Sequence, residues 1–312
     1  MNYNKEDIIE SLISSGIKST DSVFFTTSLG MVGIPPKEID SAEKLNDLFL
    51  DAINEVVKDG TIIVPTYSYT FGESTATELK TFDLRKTKSR IGPFPNHVLT
   101  KCNFIRSKDP FVSIACKGRE CNNLLSGLSN SSYGEGSFFS KMVKMKNMKC
   151  CSIGLGPNWT PFIHYADWLA KTPYRYDKKF CGYIKDGSEV KYKEWIYSVP
   201  CLIPEALSTA HKIGRLAEKE GIWNSSKLGR TRVYTSNCQE YFDFIMQKEY
   251  LSAKVKSIVD TYKTLETQFI RNHCQKDFST QNNDIFGSNA IKCCFFQLDC
   301  SSAVRSKRCC FS

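Results

Sequence analysis

The chain has 312 residues, 41% of them hydrophobic and 24% charged, with a formal net charge of +9 at neutral pH. That fits one large α/β domain or two small ones with a sizeable core. No apolar run approaches the ~20 residues of a bilayer-spanning helix, and the polar start MNYNKEDIIESLI lacks the basic lead and apolar centre of a secretory leader.

The expected location is therefore the cytoplasm. The positive balance favours acidic partners such as phosphate-bearing co-substrates. The basic residues are scattered, without a basic helix or zinc-finger spacing, so nucleic acid is not an expected partner. Fourteen cysteines are present. Without a secretory leader they do not read as a disulfide framework. Eight lie within residues 102–238, mostly in apolar runs, and read as small buried hydrophobes. The six from Cys274 onward match no standard zinc-ligand spacing, and no metal is expected.

In chain order, Asn4–Ser15 reads as an amphipathic helix stopped by Gly16, and Ser22–Thr27 as a short strand leading into SLGMVG. Glycines and small polar residues after a strand leave backbone N–H groups for a ligand, or simply link strand to helix. Ser41–Val57 carries Leu45, Leu48, Phe49, Ala52, Ile53 and Val56 on one helical stripe. Asp59-Gly60 is a turn, Thr61–Val64 a buried strand, and Pro65–Gly72 an aromatic, hydroxyl-rich loop. This strand–helix–strand alternation implies parallel pairing with right-handed crossovers. Phe82–Gly92 is a basic loop, suited to phosphate or to plain solvation. Asn96–Thr100 reads as a short helix, Phe104–Ser107 as a loop and Phe111–Cys116 as a strand. Helices at Asn122–Leu128 and Phe138–Met145 flank the loop Ser129–Ser137.

The central stretch runs from Cys150 to Asp186: an apolar strand, a loop with Gly154, Gly156 and Pro157, and a segment, Thr160–Leu169, holding His164 and Asp167. Three positions apart on a helix, these two share a face. A histidine just beyond a strand end suits a general base, and equally a buried structural role beside a surface aspartate. A strand at Glu189–Val199, a helix at Glu205–Glu220, a strand-like run at Leu228–Tyr234 and a helix from Asn237 to about Thr264 complete the domain. We divide the chain into residues 1–266, the folded domain, and 267–312, a cysteine-rich basic tail expected to be partly disordered. The last four residues, CCFS, fit a prenylation box with a basic lead-in, a pattern that also arises by chance. No Walker loop, dinucleotide-binding glycine fingerprint, GxSxG elbow or HExxH is present.

Seven stretches, in order, resemble the aminoglycoside 3-N-acetyltransferase family. TTSLGMVG (Thr26–Gly33) is similar to the family's "HSSL…G", with threonine for histidine. DGTIIVPTYSYTF (Asp59–Phe71) resembles "DGTLVMPT", and TKSRIG (Thr87–Gly92) resembles "TPTRMG" with Lys88 for proline. RSKDPFVSIACKG (Arg106–Gly118) resembles "RSxHPxxSFAAxG" with Asp109 for histidine. YGEGS (Tyr133–Ser137), IGLGPNWTPFIHYAD (Ile153–Asp167) and LGRTRVYTSNCQEYFDF resemble "YGPGSP", "LGVG…TSLHLAE" and the closing strand and helix. The likeness covers about residues 1–260 and leans toward the branch tied to surface-polysaccharide synthesis.

The resemblance implies an α/β fold with a mixed, largely parallel central sheet and flanking helices, unlike that of the common acetyltransferase superfamily. It implies transfer of an acetyl group from acetyl-CoA to an amine of an aminoglycoside, at its 3-N position, or of a related amino sugar. A homodimer is left open. His164 stands at the family's base position; an ordinary imidazole pKa of roughly 6.5 suits the task. Asp167 stands where the family has glutamate, to orient the imidazole or bind the acceptor. Glu135 and Glu120 are alternative carboxylate partners. Thr27, Ser28 and Leu29 would meet the pantetheine arm, and Thr87, Ser89, Arg90, Arg106 and Ser107 the phosphates. Tyr67, Tyr69, Tyr174 and Tyr176 would line the sugar pocket, or serve as packing residues. Direct transfer is expected, since none of the eight cysteines within residues 102–238 lies beside a histidine in sequence. The departures at Thr26, Lys88 and Asp109 leave a second reading: a coenzyme A- or sugar-binding module without catalysis.

Overall fold

The computed structural model describes residues 2–157, 162–172, 174–201 and 210–247. Its elements are α1 (Lys5–Ser14), β1 (Ser22–Thr27), α2 (Ala42–Val56), β2 (Thr61–Pro65), β3 (Thr81–Asp83), α3 (Pro93–Val98), β4 (Ile105–Arg106), β5 (Ile114–Gly118), α4 (Cys121–Leu125) and α5 (Phe138–Met142). There follow β6 (Met148–Ile153), α6 (Ile163–Leu169), β7 (Arg175–Asp186), β8 (Glu189–Pro200), α7 (Ala210–Lys219), β9 (Asn224–Leu228), β10 (Thr231–Asn237) and α8 (Cys238–Met246).

Seven strands form one sheet in the order β4-β5-β2-β1-β6-β10-β9. The β2–β1 and β1–β6 pairs are parallel. The other neighbours are antiparallel. The sheet is mixed, as the sequence implies, with parallel pairing confined to its centre. The central runs SVFFTT, TIIVP and MKCCSI are buried almost throughout, as strands covered on both faces must be. Alternation along them feeds two cores. Val23, Phe25, Ile62, Val64, Cys151 and Ile153 point to α1, α2 and α3. Phe24, Ile63, Met148 and Cys150 point the other way, to α4–α8 and the small sheet β3-β7-β8.

Local chemistry sets the ends of these elements. Asn4 caps α1 in a reciprocal box with Asp7, each bond 2.8 Å long. Ser41 caps α2 through Lys44 N. Six of the eight cysteines within 102–238 are buried, and the Cys150 and Cys238 sulfurs lie 3.1 Å apart across β6 and α8.

Several boundaries differ from the sequence reading. Phe111–Ser113 is not strand, because its backbone carbonyls receive the loop after β2: Thr66 N donates to Ser113 O and Ser68 N to Phe111 O. Phe104–Ser107, read as loop, contributes the short edge strand β4. Leu228–Tyr234 is two strands, split at Gly229 with φ of +55°. A Cβ there would lie 2.1 Å from Val32 O, so the β9–β10 turn presses on the loop after β1. The Arg230 guanidinium donates to the Met31 and Gly30 carbonyls of that loop. The earlier part of the helix read at Glu205–Glu220 and the extension of the last helix to Thr264 lie outside the described residues, as does the tail.

β1, β2 and β6 run in one direction, so their C-terminal ends, Thr27, Pro65 and Ile153, open on one edge of the sheet. Ligands in open α/β sheets bind at such an edge. Two of its loops are in close contact: Ser28 N donates to Ile153 O at 2.8 Å, and a Cβ on Gly154 would lie 2.4 Å from Ser28 O. Gly154 also has φ of +80°. We expect Gly154→Ala to lower unfolding free energy by about 2 kcal/mol or more, read by urea titration; a loss below about 0.5 kcal/mol would show that the two loops separate without strain.

Candidate active site

Chain leaving β6 turns through Gly154 and Gly156, both with positive φ, and enters α6. His164 and Asp167 lie on this short helix and are buried. His164 Nδ1 stands 3.6 Å from Asp167 Oδ2. That is longer than a well-formed hydrogen bond, and it is an ion pair only when the imidazole is protonated. Tyr174 Oη donates to Asp167 Oδ1 at 2.5 Å. Arg175 Nη1 lies 3.9 Å from Asp167 Oδ2, and its Nη2 donates to Ser198 O at 2.5 Å. Arg175, Tyr174 and His164 thus gather around one buried carboxylate. Burial, and then the charge of Asp167, push the Tyr174 hydroxyl up, so it stays a donor.

The other wall is aromatic. The Tyr133 ring meets the His164 imidazole edge-on at 5.3 Å, stacks on Phe139 at 5.4 Å and meets Tyr197 edge-on at 5.3 Å. Tyr197 packs on Phe111 at 4.6 Å. Tyr67 and Tyr69 lie on the loop after β2, their rings 6.1 Å apart. Tyr69 has φ of +55° and is held there as its N–H donates to Phe111 O. Burial raises the hydroxyls of Tyr67 and Tyr133 well above the ordinary tyrosine value.

Asp109 lies behind this wall. Its Oδ1 accepts from Phe111 N at 2.8 Å, Val112 N at 3.0 Å and Ser132 Oγ at 3.0 Å. Ser132 Oγ in turn accepts from Trp195 Nε1. These three donors to Asp109 are neutral, and burial pushes its carboxyl up to about 6.

The remaining sequence candidates divide sharply. Glu120 N donates to Thr61 Oγ1, which puts it at the start of β2, the opposite end from the site. Glu135 is exposed and pairs with Lys144 at 3.1 Å. Of the three carboxylates named from sequence, Asp167 is the one beside His164. Arg106 is buried: Nε donates to Ser113 Oγ, Nη1 to the Thr87 and Leu84 carbonyls, and Nη2 to Thr66 O. It lies 4.7 Å over the Phe82 ring, and burial lowers its pKa to about 10. It ties the loops together and does not face solvent. Ser107 is buried and pairs with Ile114 through backbone and side chain. Ser89 is buried against Asn96 and Tyr67 O. Thr87 Oγ1 accepts from Asp83 N. Arg90 is exposed and paired with Glu73. Thr27 and Ser28 are half-buried and Leu29 is buried; the Ser28 N–H is already given to β6. Tyr176 is half-buried on β7, packed against the core.

Tyr133, Ser132, Tyr197, Trp195 and Arg175 were not singled out from sequence. Tyr133 stood inside the quoted YGEGS motif, and Asp109 was visible only as a departure from the family pattern. Among the described residues no group of three His, Cys, Asp or Glu could hold a metal, and no helix is long and apolar enough to cross a membrane.

A buried histidine beside a carboxylate, set at the C-terminal edge of a mixed sheet, has the chemistry that proton transfer requires. The family model described as aminoglycoside 3-N-acetyltransferase matches residues 31–249, and the chain belongs to that family. Among solved structures, aminoglycoside acetyltransferase AAC(3)-Xa is 18% identical with a TM-score of 0.67, over 80% of this chain and 93% of that one. Sisomicin-bound AAC-VIa is 16% identical with a TM-score of 0.68, over 81% and 99%. AAC-IIIb in a binary complex with CoASH is 16% identical with a TM-score of 0.66, over 79% and 96%. At these identities the likeness establishes the fold. No curated protein matches the sequence.

The elevated Asp109 carboxyl has a measurable consequence. Burial makes the folded state hold this proton more tightly than the unfolded chain, so ionising Asp109 removes stability as pH rises from roughly 4 through about 6. Asp109→Asn cannot ionise. Relative to wild type, the variant is expected to gain on the order of 1 kcal/mol between about pH 5 and about pH 7.5 in urea titrations; a gain toward acid pH would contradict the burial.

Proposed function

We propose that the chain transfers an acetyl group from acetyl-CoA directly to an amine of an aminoglycoside or related amino sugar, with His164 as general base. The observation that carries this is the pairing of His164 Nδ1 with the buried Asp167 carboxylate at the edge where β1, β2 and β6 end. Membership in the family supports acetyl transfer. The CoASH-bound and sisomicin-bound relatives support the donor and the acceptor class.

In this reading Asp167 keeps the imidazole proton on Nδ1 and leaves the Nε2 lone pair toward the acceptor. Tyr174 and Arg175 hold the carboxylate in place. The nitrogen lone pair attacks the thioester carbon as Nε2 takes a proton from that nitrogen; the carbon–sulfur bond then breaks, and the imidazolium returns the proton to the departing sulfur, giving the amide, the coenzyme A thiol and a neutral imidazole. Thr27 and Ser28, half-buried after β1, and the exposed Arg90 are the residues that would meet coenzyme A. Ser89, Arg106 and Ser107 would act beneath them, by fixing the loops.

The test is thiol release from acetyl-CoA with sisomicin and, in parallel, a nucleotide-linked amino sugar. We expect His164→Gln to lower kcat by roughly 100-fold or more while coenzyme A binding is retained. Undiminished turnover in that variant would remove His164 from the chemistry. Coenzyme A binding without wild-type turnover on any amine would leave a binding module.

A further inference from the structure

Two cysteines 88 positions apart in sequence meet in the core. Cys150 lies on β6, and its side chain points to the core shared with α4–α8. β10 runs antiparallel to β6 with Ser236 opposite Cys150. Two residues later the chain turns back over β6 as α8, whose first residue is Cys238. Asn237 fixes that turn: its Oδ1 accepts from Gln239 N at 2.9 Å and from Glu240 N at 3.1 Å. The two sulfurs therefore face each other, 3.1 Å apart and both buried. Neither is in a disulfide. Cys151, the next residue, does not compete for Cys238, because strand alternation sends it to the opposite core.

A disulfide needs two side chains aimed at each other and a backbone that accepts the bond. Here the sulfurs have to close by about 1 Å to reach the ~2.05 Å of that bond. Both sides are firmly placed. β6 is paired with β1 and β10, and α8 is held by its rings, Tyr241 on Phe162 at 5.5 Å and Phe242 on Tyr165 at 5.6 Å. We propose that Cys150 and Cys238 are a modification site, an oxidisable pair that closes to an intramolecular disulfide joining β6 to α8. The oxidant is a small-molecule disulfide. One cysteine thiolate attacks a sulfur of that molecule and expels the first small thiolate. The other cysteine thiolate attacks the mixed disulfide and expels the second. One sulfur–sulfur bond forms as one breaks, and the two cysteine protons end on the two small thiols. Burial, and then the contact with Cys150, push the Cys238 thiol well up, so in the closed fold it stays protonated. Attack therefore belongs to chain in which α8 has not yet docked. The bond encloses α6, and so His164 and Asp167, in the segment it restrains. It is independent of the acetyl-transfer reading.

The test refolds the full chain from urea in a mixture of reduced and oxidised glutathione, and in parallel in dithiothreitol. Free thiols are then blocked with iodoacetamide and the peptides mapped by mass. Expected is a cross-link between the peptides carrying Cys150 and Cys238, lighter by two hydrogens than the reduced pair, and a urea midpoint about 1 M above that of the dithiothreitol form. Cys150→Ala and Cys238→Ala, each compared with itself in dithiothreitol, are expected to lose the cross-link and the rise together. The wild-type map decides the matter if a variant does not fold. Where refolding yields too little protein, the same map on native chain held for days in the glutathione mixture decides it. Recovery of both cysteines alkylated after glutathione treatment overturns the site. So does glutathione left on either one, or a cross-link from either to another of the fourteen cysteines. A Cys150–Cys238 bond that leaves the midpoint unchanged or lowers it also overturns the proposal, since the native fold then does not accommodate it.

Discussion

The constraint on which the rest depends is that β2, β1 and β6 are covered on both faces. Strands so buried have no polar side to turn to water, and their backbone groups must be satisfied by pairing with one another. The parallel register Ser22–Thr61 and Ser22–Met148 follows, and with it a single edge where three chain segments leave the sheet together. Those segments carry Ser28, Tyr67 and His164. The contacts that hold them, Ser28 against Gly154 and the Pro65–Gly72 loop against Phe111–Ser113, are backbone contacts that tolerate little change of shape.

Two buried carboxylates lie at that edge, and their environments differ. Asp167 sits among an imidazole, a phenol and a guanidinium, so its charge has partners that can move or share a proton. Asp109 sits among two backbone N–H groups and one hydroxyl, all neutral, and its carboxyl is raised. A buried charge without a countercharge is unfavourable for a fold on its own account. The two carboxylates thus differ in the charge of the groups around them.

Much of this was legible in the sequence. Apolar runs and glycine punctuation located α1, β1, α2, β2, β6 and α8, because each has local periodicity or a cap. The His164–Asp167 spacing placed both on one helical face, where they now stand together. What escaped detection depended on long-range pairing. β7 reads RYDKKFCGYIKD, whose charges hide a strand that is half-covered and paired along its length with β8. Arg106 reads as a phosphate ligand in sequence, and Arg175 does not stand out there. In the fold they lie against carbonyls and a carboxylate brought from elsewhere in the chain. Glu120 and Glu135 were close to His164 in motif order only; one lies at the far end of β2 and the other on the surface with Lys144.

The measurement that bears most directly on the central claim is a nitrogen-15 NMR spectrum of the histidine side chains near neutral pH. The chain has four histidines, and loss of one set of signals in His164→Gln assigns the site. With Asp167 beside Nδ1, His164 should be a neutral imidazole carrying its proton on Nδ1, with Nε2 unprotonated and ready to accept. A proton found on Nε2 instead, or an imidazole still doubly protonated well above neutral pH, would contradict His164 as the base.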